Sequence, residues 1–489
     1  MEKEVFIGID IGTAGVRAIA FTPELEKVSF SYREHRTISE REDQAEQDPE
    51  EIYSNLILCL KEVCVPYRKI LGISLSSVFH SLLGIDKKGE PLTPLYPFTD
   101  TRGKGKVEKV RKYLPSFYQK TGCPPHPIYP AIKILWLKEN PLFKRIKKFI
   151  SIKSYILYKL TGNLIEDTSV ASGSGLFNIH TLCWDEEILD FLSLRKENLP
   201  ETVEATEEIH IKSIEGLEKL KDVPLYPGGG DGVLCHLASG LKKERISSTV
   251  GSSGAIRIAA KKPFLHKKES TWCYHLYKNW WIIGGAINNG GLALNWFKDK
   301  LCQQEIKEAK EKGIDIYRIL EREAQKSPPG ANDLIFLPFL TGERAPNWNP
   351  DMRGCFIGLA LRHQKRDIIR SIMEGVMCRM KAIMQTFEPL IEGNPLIMAN
   401  GGYTRSELWL KIQANLFNMP INVMYEKEAA SMGAVIIALF AQRKIKSLEE
   451  FQPKIKKQIL PEKDKVERYK IVYQKHIKAY QCLEKYFSE

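Results

Sequence analysis

The chain has ten cysteines but no C-x-x-C pair; the closest two are Cys59 and Cys64. Met1-Glu2-Lys3-Glu4 carries no secretory leader pattern and runs straight into an apolar strand-like stretch. Together these absences exclude a disulfide framework and point to a reduced, cytoplasmic protein with free thiols. The longest apolar run, near Val435–Ala441, is too short to span a bilayer, so no membrane partner is expected. Positive charge is in excess, with 72 Lys and Arg against 60 Asp and Glu and a formal net charge of +12. Yet no basic stripe interleaves with aromatics, and the lysines are spread along the chain, thickest after Gln442. A solvated basic surface is expected rather than a nucleic-acid interface, and such a field favours an anionic substrate. At 489 residues the chain exceeds the size at which one core keeps growing, so two large domains are expected.

The most informative stretch is the first. Val5–Ile11 and Val16–Phe21 read as strands joined by a tight turn, Gly12-Thr13-Ala14-Gly15. The glycines let a ligand approach the main chain, and Asp10 stands where the first strand ends. A carboxylate beside clustered backbone amides can hold a hydrated Mg²⁺ while the amides and Thr13 hold phosphate oxygens. A buried hairpin whose Asp and Thr close the turn would look the same. The stretch has an echo: Gly12-Thr13-Ala14-Gly15-Val16-Arg17-Ala18-Ile19-Ala20 is matched by Gly251-Ser252-Ser253-Gly254-Ala255-Ile256-Arg257-Ile258-Ala259. Two glycine-hydroxyl hairpins, each opening about half of the chain, suggest duplicated lobes that grip a polyphosphate from both sides.

Taken in order, Asp48-Pro49-Glu50-Glu51 opens a helix with Ile52, Leu56, Leu60 and Val63 at helical spacing. Strands Ile70–Ser76 and Leu82–Asp86 flank a polar break containing His80, which either faces a ligand or rests on a neighbouring carbonyl. Asp100 and Arg102 share a loop, where they can face one polyol or acid or form an ordinary ion pair. Thr121–Pro130 holds four prolines and His126, a stiff surface loop, and leads into a helix over Ala131–Glu139 that carries Lys133. Val223–Pro227 runs into Gly228-Gly229-Gly230-Asp231-Gly232 and a helix over Val233–Ser239. Asp231 there is either an N-cap or an accessible carboxylate able to take a proton from a hydroxyl. Gly240–Ser247 reads as the linker between lobes. Asn288-Asn289-Gly290-Gly291 and Asn400-Gly401-Gly402 are two more strand–glycine–helix turns of the kind that present amides to a nucleotide. The final amphipathic helix, with Val466, Tyr469, Tyr473, Ile477, Tyr480 and Leu483, reads as packing only.

Several motifs resemble the FGGY family of carbohydrate kinases. They are Asp10-Ile11-Gly12-Thr13, Lys133-Ile134-Leu135-Trp136-Leu137-Lys138-Glu139-Asn140, Glu343-Arg344-Ala345-Pro346, Asn400-Gly401-Gly402, and Gly354-Cys355-Phe356-Ile357-Gly358-Leu359 with Asp367 and Ser371-Ile372-Met373-Glu374. The resemblance implies an α/β fold of two ribonuclease-H-like (actin/hexokinase/Hsp70-type) lobes around a central cleft. It divides the chain into an N-terminal lobe (1–241), a C-terminal lobe (247–442) and a helical tail (443–489). It implies ATP and Mg²⁺, with Asp231 as catalytic base and Asp10 holding the metal through water. Nucleotide contacts carried over are Thr13 and Arg17, Gly251 and Ser252, and Gly291, Asn295, Gly401 and Gly402. Ala14 and Gly15 replace the hydroxyl residues common in the first loop, while Gly230 is an ordinary variant of the position before the base. Ser76-Ser77-Val78-Phe79-His80-Ser81, Thr99-Asp100-Thr101-Arg102, Thr121–Pro130 and Gly284–Gly291 resemble the gluconate kinase branch. That implies a sugar-acid substrate, with His80, Asp100, Arg102 and His126 on it, xylulose or another open-chain sugar being the alternative. A homodimer is left open.

Overall fold

Val5, Phe6, Ile7, Ile9 and Ile11 are all fully buried, as a strand must be when both faces of its sheet are covered. In the computed structural model, which describes residues 4–67 and 69–487, this run is β1 (Glu4–Ile11). Its odd residues pack with Ile52, Leu56 and Leu60 of α1 (Pro49–Cys64), and Phe6 joins the opposite core. The expected cap at Asp48 holds, its side chain accepting from the Glu50 amide. β2 (Gly15–Phe21), β3 (Lys27–Glu34) and β4 (Lys69–Ser77) follow, then β5 (Ile209–His210) and β6 (Pro224–Gly230). They form one sheet in the order β5-β6-β4-β1-β2-β3.

The second half builds β7 (Arg245–Val250), β8 (Gly254–Ala260), β9 (Trp272–Tyr277), β10 (Trp280–Ile287), β11 (Leu396–Asn400), β12 (Ile421–Met424) and β13 (Ile455–Ile459). Their order is β13-β12-β11-β7-β8-β10-β9. Strand for strand, the first six repeat the other sheet, including its senses: an antiparallel β1–β2 or β7–β8 hairpin at the centre, then two parallel neighbours. The echo between Gly12 and Gly251 is therefore a duplicated fold, with each hairpin at the same place in its own sheet.

The duplication continues into the helices. β6 feeds α3 (Asp231–Leu237), β12 feeds α7 (Ala429–Ala441), and these two helices cross between the lobes. Between them in sequence lie α4 (Gly291–Leu301), α5 (Lys365–Thr386) and α6 (Glu407–Phe417), while α2 (Pro130–Leu137) precedes β5. The crossing is tight because it is made on glycine: a Cβ at Gly433 would overlap the Leu234 carbonyl, and one at Gly8 would lie 2.5 Å from the Ser431 carbonyl. One hydrophobic core runs through the crossing, joining Val233, Leu234 and Leu237 to Ala434, Val435 and Ile436.

Some expectations shift. Arg245–Ser247 already belongs to β7, so the connection from α3 into the second sheet is residues 238–244. The tail is not purely helical, because β13 extends the second sheet before α8 (Lys463–Phe487). Nor is α8 there only to pack. Tyr480 donates to Glu343 at 2.9 Å, and Tyr469 donates to Glu374 while accepting from Arg370, both at 2.9 Å. Met1–Lys3, at which no leader is expected, lie outside the described residues. No helix among the described residues is long and apolar enough to cross a membrane, and all ten cysteines are unpaired.

Gly433→Val is expected to cost about 3 kcal/mol, since the side chain must displace backbone of the crossing helix. Gly105→Ala, where nothing lies within 4 Å of the new methyl, should stay within about 0.5 kcal/mol. Thermal unfolding of the two variants checks the difference.

Candidate active site

The first hairpin turn closes on itself, Gly12 donating its amide to the Gly15 carbonyl at 2.9 Å. Gly15 is demanded by the next strand, since a Cβ there would meet the Tyr32 ring at 2.5 Å. The Thr13 carbonyl is held by Gln47 at 2.8 Å and by the His35 ring at 2.9 Å. Asp10 and Arg17 face one another in the β1–β2 register. Ser76 donates to Asp10 at 2.9 Å, and Arg17 Nε lies 3.6 Å from the same carboxylate. Arg17, expected on phosphate, also donates to Glu428 of the other lobe at 2.8 Å and lies over the Tyr32 ring. It is thus an ion-pair bridge across the cleft. Burial raises the Asp10 carboxyl above its ordinary value, Arg17 and Ser76 opposing and Glu428 adding to it.

The second hairpin loop, Gly251 to Ser253, is exposed. Its carbonyls are clipped to the start of α4: the amides of Gly291 and Leu292 reach Gly251 and Ser252 at 2.7 and 3.0 Å, and that of Gly290 reaches Ser252 at 2.9 Å. The turn expected to offer amides to a nucleotide has therefore spent them on the hairpin. The glycines permit the approach, as a Cβ at Gly291 would lie 2.7 Å from the Gly251 carbonyl. Gly401, at φ 98°, is pressed in the same way against the Val250 carbonyl. Gly402 is exposed beside it, and Asn295 accepts from Tyr317 at 2.6 Å. Hairpin, α4 and the Gly401 turn thus form one rigid cradle.

Asp231 is the first residue of α3, but the cap position is Gly230. Its carboxylate accepts from the adjacent Gly232 amide at 2.6 Å. Gly230 is not exchangeable here, because any Cβ would enter the Phe79 ring. Two contacts that sequence reading missed fix this strand end: Lys153, in a fully buried ion pair with Asp167, donates to the Gly229 carbonyl at 2.9 Å, and the Gly230 amide donates to Ser169 at 3.1 Å. Burial, and then the charge of Asp10, raises the Asp231 carboxyl to about 6, with Arg257, the Gly232 amide and Arg344 opposing.

On the other side of Asp231, His80 holds φ 68°, a conformation rare for a residue with a side chain and sustained only when its surroundings enforce it. Its Nδ1 lies 2.6 Å from the Gly173 carbonyl, and the fully buried Lys133 donates to the carbonyls of His80 (3.3 Å) and Ile128 (2.6 Å). Tyr129 and Tyr274 share a hydroxyl contact at 3.0 Å beside it. The His126 ring sits 5.2 Å from Trp348. Burial lowers both His80 and His126 to about 3, so neither supplies a positive charge at neutral pH. Asp100 and Arg102 need a correction. Asp100 is fully buried and accepts from the Ala45 amide and from Arg102, while Arg102 also pairs with Glu46 and lies against the rings of Tyr96 and Trp136. Their charges are spent on each other, the ordinary ion-pair alternative. Arg257 and Arg344, quoted only within motifs, stand near Asp231 instead.

A carboxyl whose folded-state value is raised gives its full stabilisation below the unfolded value and loses it as pH climbs through the folded value. Asp231→Asn is therefore expected to melt higher than wild type at pH 7.5, with the difference closing near pH 4. Calorimetric Tm values at the two pH values check this.

The sequence profile of the FGGY family of carbohydrate kinases, N-terminal domain, matches residues 5–238, and that of the C-terminal domain matches 247–442. A gluconokinase of Bacillus subtilis (strain 168) is 36% identical over 456 residues, covering 91% of this chain and 88% of that one. Two solved structures from Lactobacillus acidophilus, a gluconate kinase and a ligand-bound xylulose kinase, each superpose with TM-score 0.92 at 31% identity, covering 98% of both chains. With its doubled sheets, its crossed helices and a carboxylate at the start of α3, the chain belongs to the FGGY family of carbohydrate kinases and is a phosphotransferase.

Proposed function

We propose that the enzyme transfers the γ-phosphoryl group of ATP to the terminal hydroxyl of gluconate, giving 6-phosphogluconate and ADP. The observation that carries the chemistry is Asp231: an oriented carboxylate, raised to about 6, on the wall of a cleft that also holds Asp10 and two arginines. A base is most effective when its value lies near working pH, and phosphoryl transfer otherwise asks for positioning and charge stabilisation. The bond from the acceptor oxygen to γ-phosphorus forms as the bond to the β-bridging oxygen breaks, and the hydroxyl proton goes to Asp231. The Gly251–Ser253 cradle and the Gly12–Gly15 turn would hold the phosphates. Arg257, beside Asp231, is placed to meet their charge.

The charge of Asp10 disfavours ionisation of Asp231, and a hydrated divalent cation bound beside them would relieve that cost. Asp10, steadied by Ser76, would hold Mg²⁺ through water, and the ion would supply charge neutralisation on the phosphates. Among the described residues no cluster of three or more His, Cys, Asp or Glu forms a cage for it, which suits a cation carried largely by water and substrate.

The gluconate assignment leans on the 36% identical gluconokinase; the xylulose kinase of equal structural similarity makes xylulose the competing acceptor. Coupled ADP-release assays with gluconate, xylulose, glycerol and sorbitol are expected to give the highest kcat/KM on gluconate. Preference for xylulose would overturn the substrate. Asp231→Asn should lower kcat by roughly 10²–10⁴-fold with KM little changed. For wild type, kcat is expected to fall below about pH 6 with the slope of a single proton, as Asp231 is protonated.

A further inference from the structure

The loop from Glu343 to Asn349 forms neither helix nor strand, yet it carries second-lobe side chains across to the first. Arg344 lies 5.5 Å from the centre of the Phe98 ring and donates to the Ile287 carbonyl at 3.2 Å, and its charge helps to hold down the Asp231 carboxyl. Trp348 lies 5.2 Å from the His126 ring and donates its indole N–H to the Ser270 carbonyl at 3.3 Å. The loop closes on itself twice, the Glu343 amide donating to Asn349 at 2.9 Å and the Trp348 amide to Arg344 at 2.7 Å. Trp348 holds φ 56°, a conformation that its surroundings must enforce.

The outer side of the loop rests on α8. Glu343 is buried and ion-paired with Arg379 of α5, and Tyr480 of α8 donates to its second oxygen at 2.9 Å. Glu484, one turn further along α8, accepts from the Asn347 side chain at 3.1 Å and lies 2.8 Å from the Tyr480 hydroxyl. Residues four apart share a helix face, so α8 grasps the loop on both shoulders of Arg344. The Tyr480 ring is itself fixed, with the Arg379 guanidinium 4.4 Å from its centre and Leu337, Phe339 and Met352 packed around it. Burial raises the Glu343 carboxyl to about 7, Arg379 and then Tyr480 opposing, so the tyrosine contact helps to keep the ion pair charged. The loop lies inside the stretch that the family profile matches, whereas α8 lies beyond its end at residue 442.

We propose that Tyr480 and Glu484 are positioning residues: through Glu343 and Asn347 they set the place of Arg344 and Trp348, and so tie the C-terminal helix to acceptor binding. The inference rests on the acceptor lying beside Asp231, and it serves acid and neutral acceptors alike. The nucleotide side keeps its own hold. Ahead of both shoulders, Asn288 donates to the Thr341 carbonyl at 2.9 Å and Thr341 donates to Asn289 at 3.2 Å, and the second hairpin is clipped by the amides of α4.

Tyr480→Phe and Glu484→Gln each remove one contact and keep the shape of α8. Each is expected to raise KM for the preferred acceptor about 10-fold while KM for ATP stays within about 2-fold. Asn347→Ala should reproduce Glu484→Gln and add nothing to it in the double variant, as two ends of one contact must. Hydrogen exchange read by mass spectrometry is expected to quicken over residues 340–352 in these variants, with residues 463–475 of α8 protected as in wild type. Variants that keep wild-type acceptor KM and wild-type exchange over the loop overturn the proposal. So do variants that raise both KM values equally while exchange quickens along α8, which would make the helix a packing element alone. A wild type that phosphorylates none of gluconate, xylulose, glycerol and sorbitol overturns the functional reading instead, and the exchange comparison then decides whether α8 holds the loop.

Discussion

Two carboxylates, the buried Asp10 from one strand end and the half-buried Asp231 from another, stand close enough for the charge of the first to resist ionisation of the second. Like charges so placed resist ionisation, and the rest of the site is arranged around that tension. Ser76 and Arg17 steady one member; the Gly232 amide, Arg257 and Arg344 steady the other. The compensation is incomplete, which leaves Asp231 near the pH at which it can both accept and release a proton. The protein alone therefore leaves negative charge unsettled, in a place where the cation of a triphosphate would balance it.

The scaffold that holds these groups is one motif used twice. Each sheet places a glycine-turned hairpin at its centre and sends its last parallel strand into a helix, and the two helices meet. Because strand order and sense agree in both lobes, the hairpins approach the cleft from related directions. The copies have diverged in how they are braced. The first turn is held by side chains, Gln47 and His35 on the Thr13 carbonyl. The second is held by main chain, its carbonyls capturing the first amides of α4.

The repeated hairpin, the buried strands and the special place of Asp231 were legible because they rest on local patterns: glycine pairs, apolar runs, and a carboxylate after three glycines. What was not legible depends on partners distant in sequence. Nothing near Asp100 and Arg102 in the chain announces Glu46 and Trp136, which help convert a candidate sugar contact into a closed ion pair. Arg17 reads as a phosphate ligand until Glu428, more than four hundred positions away, comes to meet it. The neutrality of His80 and His126 follows from burial that composition does not reveal. Gly290 and Gly291 were recognised as a turn, yet the direction of their amides is set by the carbonyls of Gly251 and Ser252. Arg344 could have been suspected from its charge beside Pro346, but its place near Asp231 is visible only in three dimensions.

The crossing of α3 and α7 has a mechanical corollary. Backbone meets backbone at Gly433 and Leu234 with no side chain between them, so the lobes can swivel there but have little room to slide. Asp231 lies less than one helical turn from that rivet, whereas the tip of the second hairpin is far out along its blade. Any rotation of the lobes about that point would move Asp231 little and carry the exposed tip of the second hairpin through the longer arc.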